Sequence, residues 1–322
     1  MAFDALPTHA MADTGDEACT GKVARPRFTD NNQGGKESMQ RVTFAALPLA
    51  LCALLAPALS HAEVSCTRAG LQEAVDLYLA AQGKGDASAL PLAKGIGYWE
   101  NAAPADIQKG FITKAQKIDH QRTIFDTDTC QTFSEVIVAD KAQPYVFGTR
   151  LRVDHEKIAE IEILWTTKGY WLFDVDSYLK HSSQENWGPI PAEKRDSRST
   201  LVAAANAYLD AFLEKKIDRV PWGYPCERLE GGAYTGKDSP ADSCDVGVPG
   251  GVNIVNRHYV VDEVLGTVQV FCTFGAGGPN GGSGAPDSHL FRVENGKLRY
   301  VHTLTHLLQA NFRGNTKPPA KG

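Results

Sequence analysis

Glu230, His289 and Asp262 are the residues whose types and settings best suit proton transfer in this chain. Glu230 follows Arg228 and Leu229 and precedes Gly231 and Gly232. Glycines let a ligand approach the backbone closely. A carboxyl group beside an apolar pocket can have its pKa raised and act as a general acid. The competing reading is a structural ion pair with Arg228, because Glu100 holds the equivalent place earlier in the chain. His289 alternates with Phe291 and Val293 and so points inward, at a strand entrance after Pro286, Asp287 and Ser288. A hydrogen-bonded core histidine is the plain alternative.

Asn256, Arg257, His258 and Asp262 fall on one predicted strand. Alternation sets His258, Val260 and Asp262 on one face and Arg257, Tyr259 and Val261 on the other, and only one set can face a pocket. A surface charge ladder is the alternative. Asp262 with His258 would activate water, while Arg228 or Arg257 would stabilise a developing oxyanion. Trp222, Tyr234 and Tyr259 are aromatic surfaces on which a flat ligand could stack. The earlier half offers a second constellation in Glu100, His120 and Asp126. His302 and His306 would lie roughly 13 Å apart on a strand, too far for one metal ion. The glycine-rich run 275–286 has no following Gly-Lys-Ser/Thr, and Ser283 lacks a nucleophile elbow. No metal site and no cofactor motif is therefore expected.

The elements that must position these residues begin after a targeting signal. Residues 39–62 combine Arg41, an apolar run from Val42 to Leu59, and the small residues of Ser60-His61-Ala62. That pattern is what a secretory peptidase recognises. The run is short for a membrane span, and Pro48 and Pro57 interrupt it. Leu51 argues against lipid attachment at Cys52. Residues 1–38 read as a disordered extension. The mature chain is expected to be secreted or periplasmic. Expressed from Met39 in a secretion-competent bacterium, the exported protein should begin at or near Glu63; mass spectrometry checks this.

The net charge is −5 and no lysine-rich stripe occurs, which argues against nucleic acid as a partner. No membrane association is expected after processing. The mature chain holds Cys66, Cys130, Cys226, Cys244 and Cys272. Export permits disulfides, and an odd number leaves one cysteine over. Cys272 lies in the strand-like run VQVFCTF and is expected to be a buried thiol. Cys226 and Cys244 flank a Gly- and Asp-rich loop that a local bridge would close, and Cys66–Cys130 would tie the first helix to a strand.

The chain also repeats itself. Leu71, Ala74, Val75, Tyr78 and Leu79 make one helical face, and a shift of 130 residues gives Leu201, Ala204, Ala205, Tyr208 and Leu209. Glu100 and Ala103 match Glu230 and Ala233 at the same shift, and the last strands match at 140. Each copy reads as a helix, an irregular Gly/Pro-rich stretch and four long β-runs. This predicts two domains, 63–181 and 200–308, with a linker at 182–199 and a flexible tail at 309–322.

Helix first, then a curved antiparallel sheet, describes an α+β cone, and two in tandem resemble the NTF2-like superfamily with its SnoaL-type members. The segments 221–236, 242–251, 256–263 and 286–306 resemble a family of secreted fungal and bacterial proteins with two such modules. Some members of that family look like hydrolases that cleave the β-aryl ether bond of lignin-derived arylglycerol ethers. The resemblance implies a cofactor-independent hydrolase acting on a small aromatic substrate. The alternatives are a cofactor-free isomerase, dehydratase or cyclase, or a non-catalytic binder of small aromatics. It also implies a possible homo-oligomer, because NTF2-like sheets often pair through their outer faces.

Overall fold

A computed structural model describes residues 63–245, 247–277 and 284–311. The proposed signal segment 39–62 and the extension 1–38 lie outside the described residues. Among the described residues no helix is long and apolar enough to cross a membrane.

The first module contains α1 (Arg68–Lys84), β1 (Leu92–Glu100), β2 (Ala103–Pro104), β3 (His120–Asp126), β4 (Gln131–Val138), β5 (Tyr145–Asp154) and β6 (Lys157–Thr166). A helix α2 (Val175–Gln184) follows. The second module contains α3 (Arg198–Glu214), β7 (Trp222–Glu230), β8 (Ala233–Tyr234), β9 (Ile254–Asp262), β10 (Thr267–Phe274), β11 (Ala285–Glu294) and β12 (Lys297–Thr305). The sheets have the same strand order, β2-β1-β6-β5-β4-β3 and β8-β7-β12-β11-β10-β9. The repeat read from sequence is thus a structural one, and the chain is two tandem α+β cones, each a helix packed on a six-stranded sheet.

Both long helices are stopped and started by local chemistry. Thr67 caps α1 by accepting the Gly70 N–H at 3.1 Å, and Ser197 caps α3 by accepting from Thr200 N at 3.3 Å. The five apolar positions of each helix lie buried against the inner face of its own sheet. Both bridges form as expected: the Cα atoms of Cys66 and Cys130 are 4.8 Å apart and those of Cys226 and Cys244 are 5.2 Å apart. Cys272 is a buried free thiol. Two formed disulfides fit an oxidising compartment.

Two parts of the expectation change. The stretches read as irregular contain β1 and β7, each pairing in parallel with the last strand of its module. Gly95, Gly97, Gly223 and Pro225 hide their alternation. Pro225 is tolerated because β8 pairs only with Leu229 and Glu230, so the ladder on that side asks no N–H of residue 225. The second change concerns the linker. Residues 182–184 complete α2, and Trp187 and Ile190 are buried.

Trp187 belongs to a third core between the outer faces of the two sheets. It contains Ile124, Phe133, Ile137, Leu164, Tyr178, Trp187, Leu229, Val260, Phe271, Leu290 and Leu304. The faces expected to make a homo-oligomer therefore cover each other within one chain. Two reciprocal clamps lock them. Arg198, the first residue of α3, holds Asp126 of the first module through two 2.8 Å bonds, and Val261 N–H donates to the same carboxylate at 2.9 Å. Arg68, the first residue of α1, holds Asp262 of the second module at 2.9 and 3.0 Å, and Phe125 N–H donates to it at 3.0 Å. Burial alone would push the Asp126 pKa up; the Arg198 and Val261 bonds hold it below the ordinary carboxylate range. Arg198→Ala strands a buried carboxylate and is expected to cost roughly 1–3 kcal/mol, read as a lower Tm.

Candidate active site in the second cone

The inner face of the second sheet carries a polar cluster that the first lacks. Strand alternation puts Asp287 and His289 on the same face of β11, and register pairs Asp287 with Cys272 on β10 and with Thr305 on β12. Thr305 Oγ1 donates to Asp287 Oδ1 at 2.9 Å, and His289 Nδ1 lies 3.3 Å from Asp287 Oδ2. Cys272 Sγ is 3.9 Å from that oxygen and 3.8 Å from the histidine nitrogen. The imidazole stacks on Phe291 at 5.8 Å and meets Tyr208 edge-on at 5.7 Å.

Burial sets the protonation of this group. It pushes the Asp287 carboxyl well above its ordinary range and the Cys272 thiol up. Burial, with the positive charges of Arg228 and Arg257, takes the His289 pKa down to about 3. The Asp287–His289 pair is thus held without net charge and with one transferable proton.

Arg228 and Glu230 stand beside it on β7. Glu230 Oε2 lies 3.4 Å from Arg228 Nη2, and its Oε1 accepts from the Trp171 indole N–H at 2.7 Å. The Tyr208 hydroxyl is a further partner of Arg228. Arg228 is buried, and its Nε–H has no protein partner.

The same positions in the first cone are filled differently. Val136, Phe147, Thr149 and Tyr98 stand where Cys272, Asp287, His289 and Arg228 stand in the second. The ring of Phe111 fills that space, 5.1 Å from both Phe147 and Tyr145 and 5.8 Å from Trp165. Glu100 accepts the Tyr98 hydroxyl at 2.6 Å and the Phe111 N–H, so here the repeated glutamate fastens the plug.

Of the residues singled out from sequence, Glu230, Arg228 and His289 meet in the second cone. Trp222 is placed edge-on to Tyr208 at 5.9 Å, with its indole N–H on Ile217 O. Tyr259 donates to Asn206 of α3 at 2.7 Å, and Arg257 spends its donors on Ile254 O, Asn206 and Asp210. These two tie α3 to β9.

Asp262, His258 and Tyr234 are corrections. They share the outer face, which looks at the other module. Asp262 is saturated by Arg68 and by the N–H groups of Phe125, Val264 and Leu265, so it cannot activate water with His258. Tyr234 stacks on His181 of α2 at 3.8 Å. His258 lies 3.8 Å from Glu162, whose contact raises its pKa, at the wall of a groove of about 710 Å³ between the modules. In the first half, Asp126 belongs to the clamp with Arg198. His120 is half-buried, with its pKa lowered first by burial and then by Arg122. The alternative trio of Glu100, His120 and Asp126 does not form a site.

His302 and His306 take separate roles. His306 Nδ1 meets Trp165 O at 2.8 Å. His302 sits between the modules, within 2.9 Å of Glu135 and 2.6 Å of Glu185. Asp287, Cys272, Tyr208 and Thr305 are site residues that sequence reasoning did not single out as such. The period-2 relation of Asp287 to His289 was the one local signal for any of them.

Residues 194–305 match the model of a domain of unknown function (DUF8021). That span is the second module with its polar cone. Solved structures are also similar. An NTF2-like protein of unknown function from Cytophaga hutchinsonii is 9% identical, aligns over 33% of this chain and 88% of its own, and has a TM-score of 0.24. A second NTF2-like protein of unknown function, from Burkholderia xenovorans, is 12% identical over 33% of this chain and 83% of its own, with a TM-score of 0.24. A SnoaL-like polyketide cyclase candidate from Jannaschia is 13% identical over 38% of this chain and 94% of its own, with a TM-score of 0.25. At such identities and scores no chemistry carries across. No curated protein matches the sequence.

Proposed function

We propose that the second cone is the active site of a cofactor-independent hydrolase that cleaves the β-aryl ether of an arylglycerol aryl ether, and that the first cone is its scaffold. One observation carries the reading: Asp287 and His289 stand where Phe147 and Thr149 stand in a cone of the same strand order. A packed core has no need of a carboxyl group, whose burial must be offset by partners such as Thr305.

The roles follow from the contacts. Water adds to the ether carbon as the C–O bond breaks. The departing phenoxide takes its proton from the Asp287–His289 pair, a buried donor whose proton is mobile. Glu230, accepting on both oxygens from Trp171 and Arg228, orients water and receives its proton. This reassigns Glu230 from donor to acceptor. The unpartnered Arg228 Nε–H can meet the developing oxyanion. Trp222, Phe212 and Tyr208 give the aromatic groups apolar company.

The test is incubation of the mature protein with a phenolic β-aryl ether in ¹⁸O water. Release of the phenol with label in the glycerol product supports hydrolysis. Phenol release without label points instead to elimination, which the dryness of the pair would suit. No phenol release under either condition overturns the reading.

A further inference from the structure

Cys272 Sγ, Asp287 Oδ2 and His289 Nδ1 form a triangle with sides of 3.3, 3.8 and 3.9 Å. A tetrahedral zinc ion bonds sulfur at about 2.3 Å and nitrogen or oxygen at about 2.0–2.2 Å, which spaces its donors by roughly 3.3–3.6 Å. The three atoms thus stand within a few tenths of an ångström of zinc-ligand spacing, all buried and all on two adjacent strands.

We propose that this triad binds one thiophilic divalent cation, zinc or cobalt, and that the bound ion switches the cone off. A thiolate and a carboxylate supply two negative charges against the dication, and imidazole is a neutral third ligand. The fourth position falls to water. The outer contact is already built: Thr305 Oγ1 donates to Asp287 Oδ1, the oxygen the ion does not use, and so fixes the carboxylate. The two cations that act on the triad, Arg228 and Arg257, are paired with Glu230 and Asp210 and do not stand alone against the ion. On binding, the Cys272 S–H bond breaks, an S–metal bond forms and the proton leaves to solvent. The same ion occupies the histidine nitrogen and the carboxylate oxygen that proton transfer needs. Metal and turnover therefore exclude each other. The inhibitory part of the proposal rests on the acid–base reading above, and the binding part does not.

Chelator-treated mature protein titrated with cobalt(II) tests the binding. One equivalent should produce a thiolate-to-cobalt charge-transfer band in the near ultraviolet, together with the intense visible bands of tetrahedral cobalt. Tm should rise with cobalt concentration. Cys272→Ser should abolish the charge-transfer band, and Asp287→Asn should weaken binding at least tenfold, each in protein that still melts cooperatively. No charge-transfer band in excess cobalt, or the same band in Cys272→Ser, overturns the site. Ether cleavage is then assayed with and without one equivalent of zinc. Activity of the chelated protein that zinc abolishes supports the switch. Activity unchanged by bound zinc overturns the switch and leaves the site standing. Cobalt spectra as expected with no ether cleavage in chelated protein refute the acid–base reading alone.

Discussion

Replacing His289 with asparagine is expected to slow ether cleavage by about 10²–10⁴-fold without unfolding the protein. Asparagine keeps a polar group of similar reach inside the cone but cannot relay a proton. Asp287→Asn should cause a loss of the same order, because the amide keeps a hydrogen-bonding partner for Thr305 while removing the transferable proton. Both defects should shrink for substrates whose phenols are more acidic, since such leaving groups need less protonation. Glu230→Gln should show no such dependence if the glutamate serves water and not the phenoxide. The first cone supplies the control. Tyr78→Phe removes a hydroxyl bonded to Thr149, the counterpart of His289, and should leave kcat unchanged. Wild-type rates in folded His289→Asn and Asp287→Asn would remove the pair from the mechanism.

His302→Leu is expected to destabilise the protein by about 3–5 kcal/mol, because it leaves buried carboxylates short of a cation. Glu135 and Glu185 would then share only Arg122, which lies 2.9 Å from one and 4.0 Å from the other. The same cluster predicts a pH profile. Burial opposes the charge on His302, but Glu135 and Glu185 overcome it and raise its pKa to about 9. Burial likewise opposes the charge on Glu135, and His302 and Arg122 bring it down to about 2. The raised histidine stabilises fully below its unfolded value near 6.5, and that part is lost as pH rises through about 9. The lowered carboxylate stabilises fully above its unfolded value near 4.5, and that part is lost as pH falls through about 2. The two shifts describe one interaction, worth roughly 3 kcal/mol, and are not added. Tm should be highest between those unfolded values and should fall from neutral pH towards pH 9. In His302→Leu the alkaline fall should be missing; a wild-type profile in that variant would show that another group causes it.

The sequence makes some of this legible and hides the rest for identifiable reasons. Five buried apolar positions at helical spacing define α1, and their copy defines α3. The four long β-runs of each half show because β-branched and aromatic residues dominate them. Both disulfides followed from loop context and from the strand setting of Cys272. Strands β1 and β7 were hidden by their glycines and proline, and α2 by its polar composition. The site was half visible. Glu230, Arg228 and His289 stood out by local setting, but Cys272 enters only because cross-strand register places it against Asp287, a relation no local pattern contains. Asp262 shows the complementary limit. Alternation correctly grouped it with His258, yet period 2 does not say which face looks inward, and that face meets the other module.

The exchange of arginines between modules, Arg68 to Asp262 and Arg198 to Asp126, resembles what two identical subunits would make around a twofold axis. In such a dimer every substitution appears twice, so a change that plugs one cavity plugs both. Joining the halves in one chain removes that constraint. One copy can fill its interior with Phe111, while the other buries the polar groups of Cys272, Asp287 and His289. The association also becomes unimolecular, so it does not weaken on dilution. On the proposed reading the molecule then carries one reactive cone for every two folds.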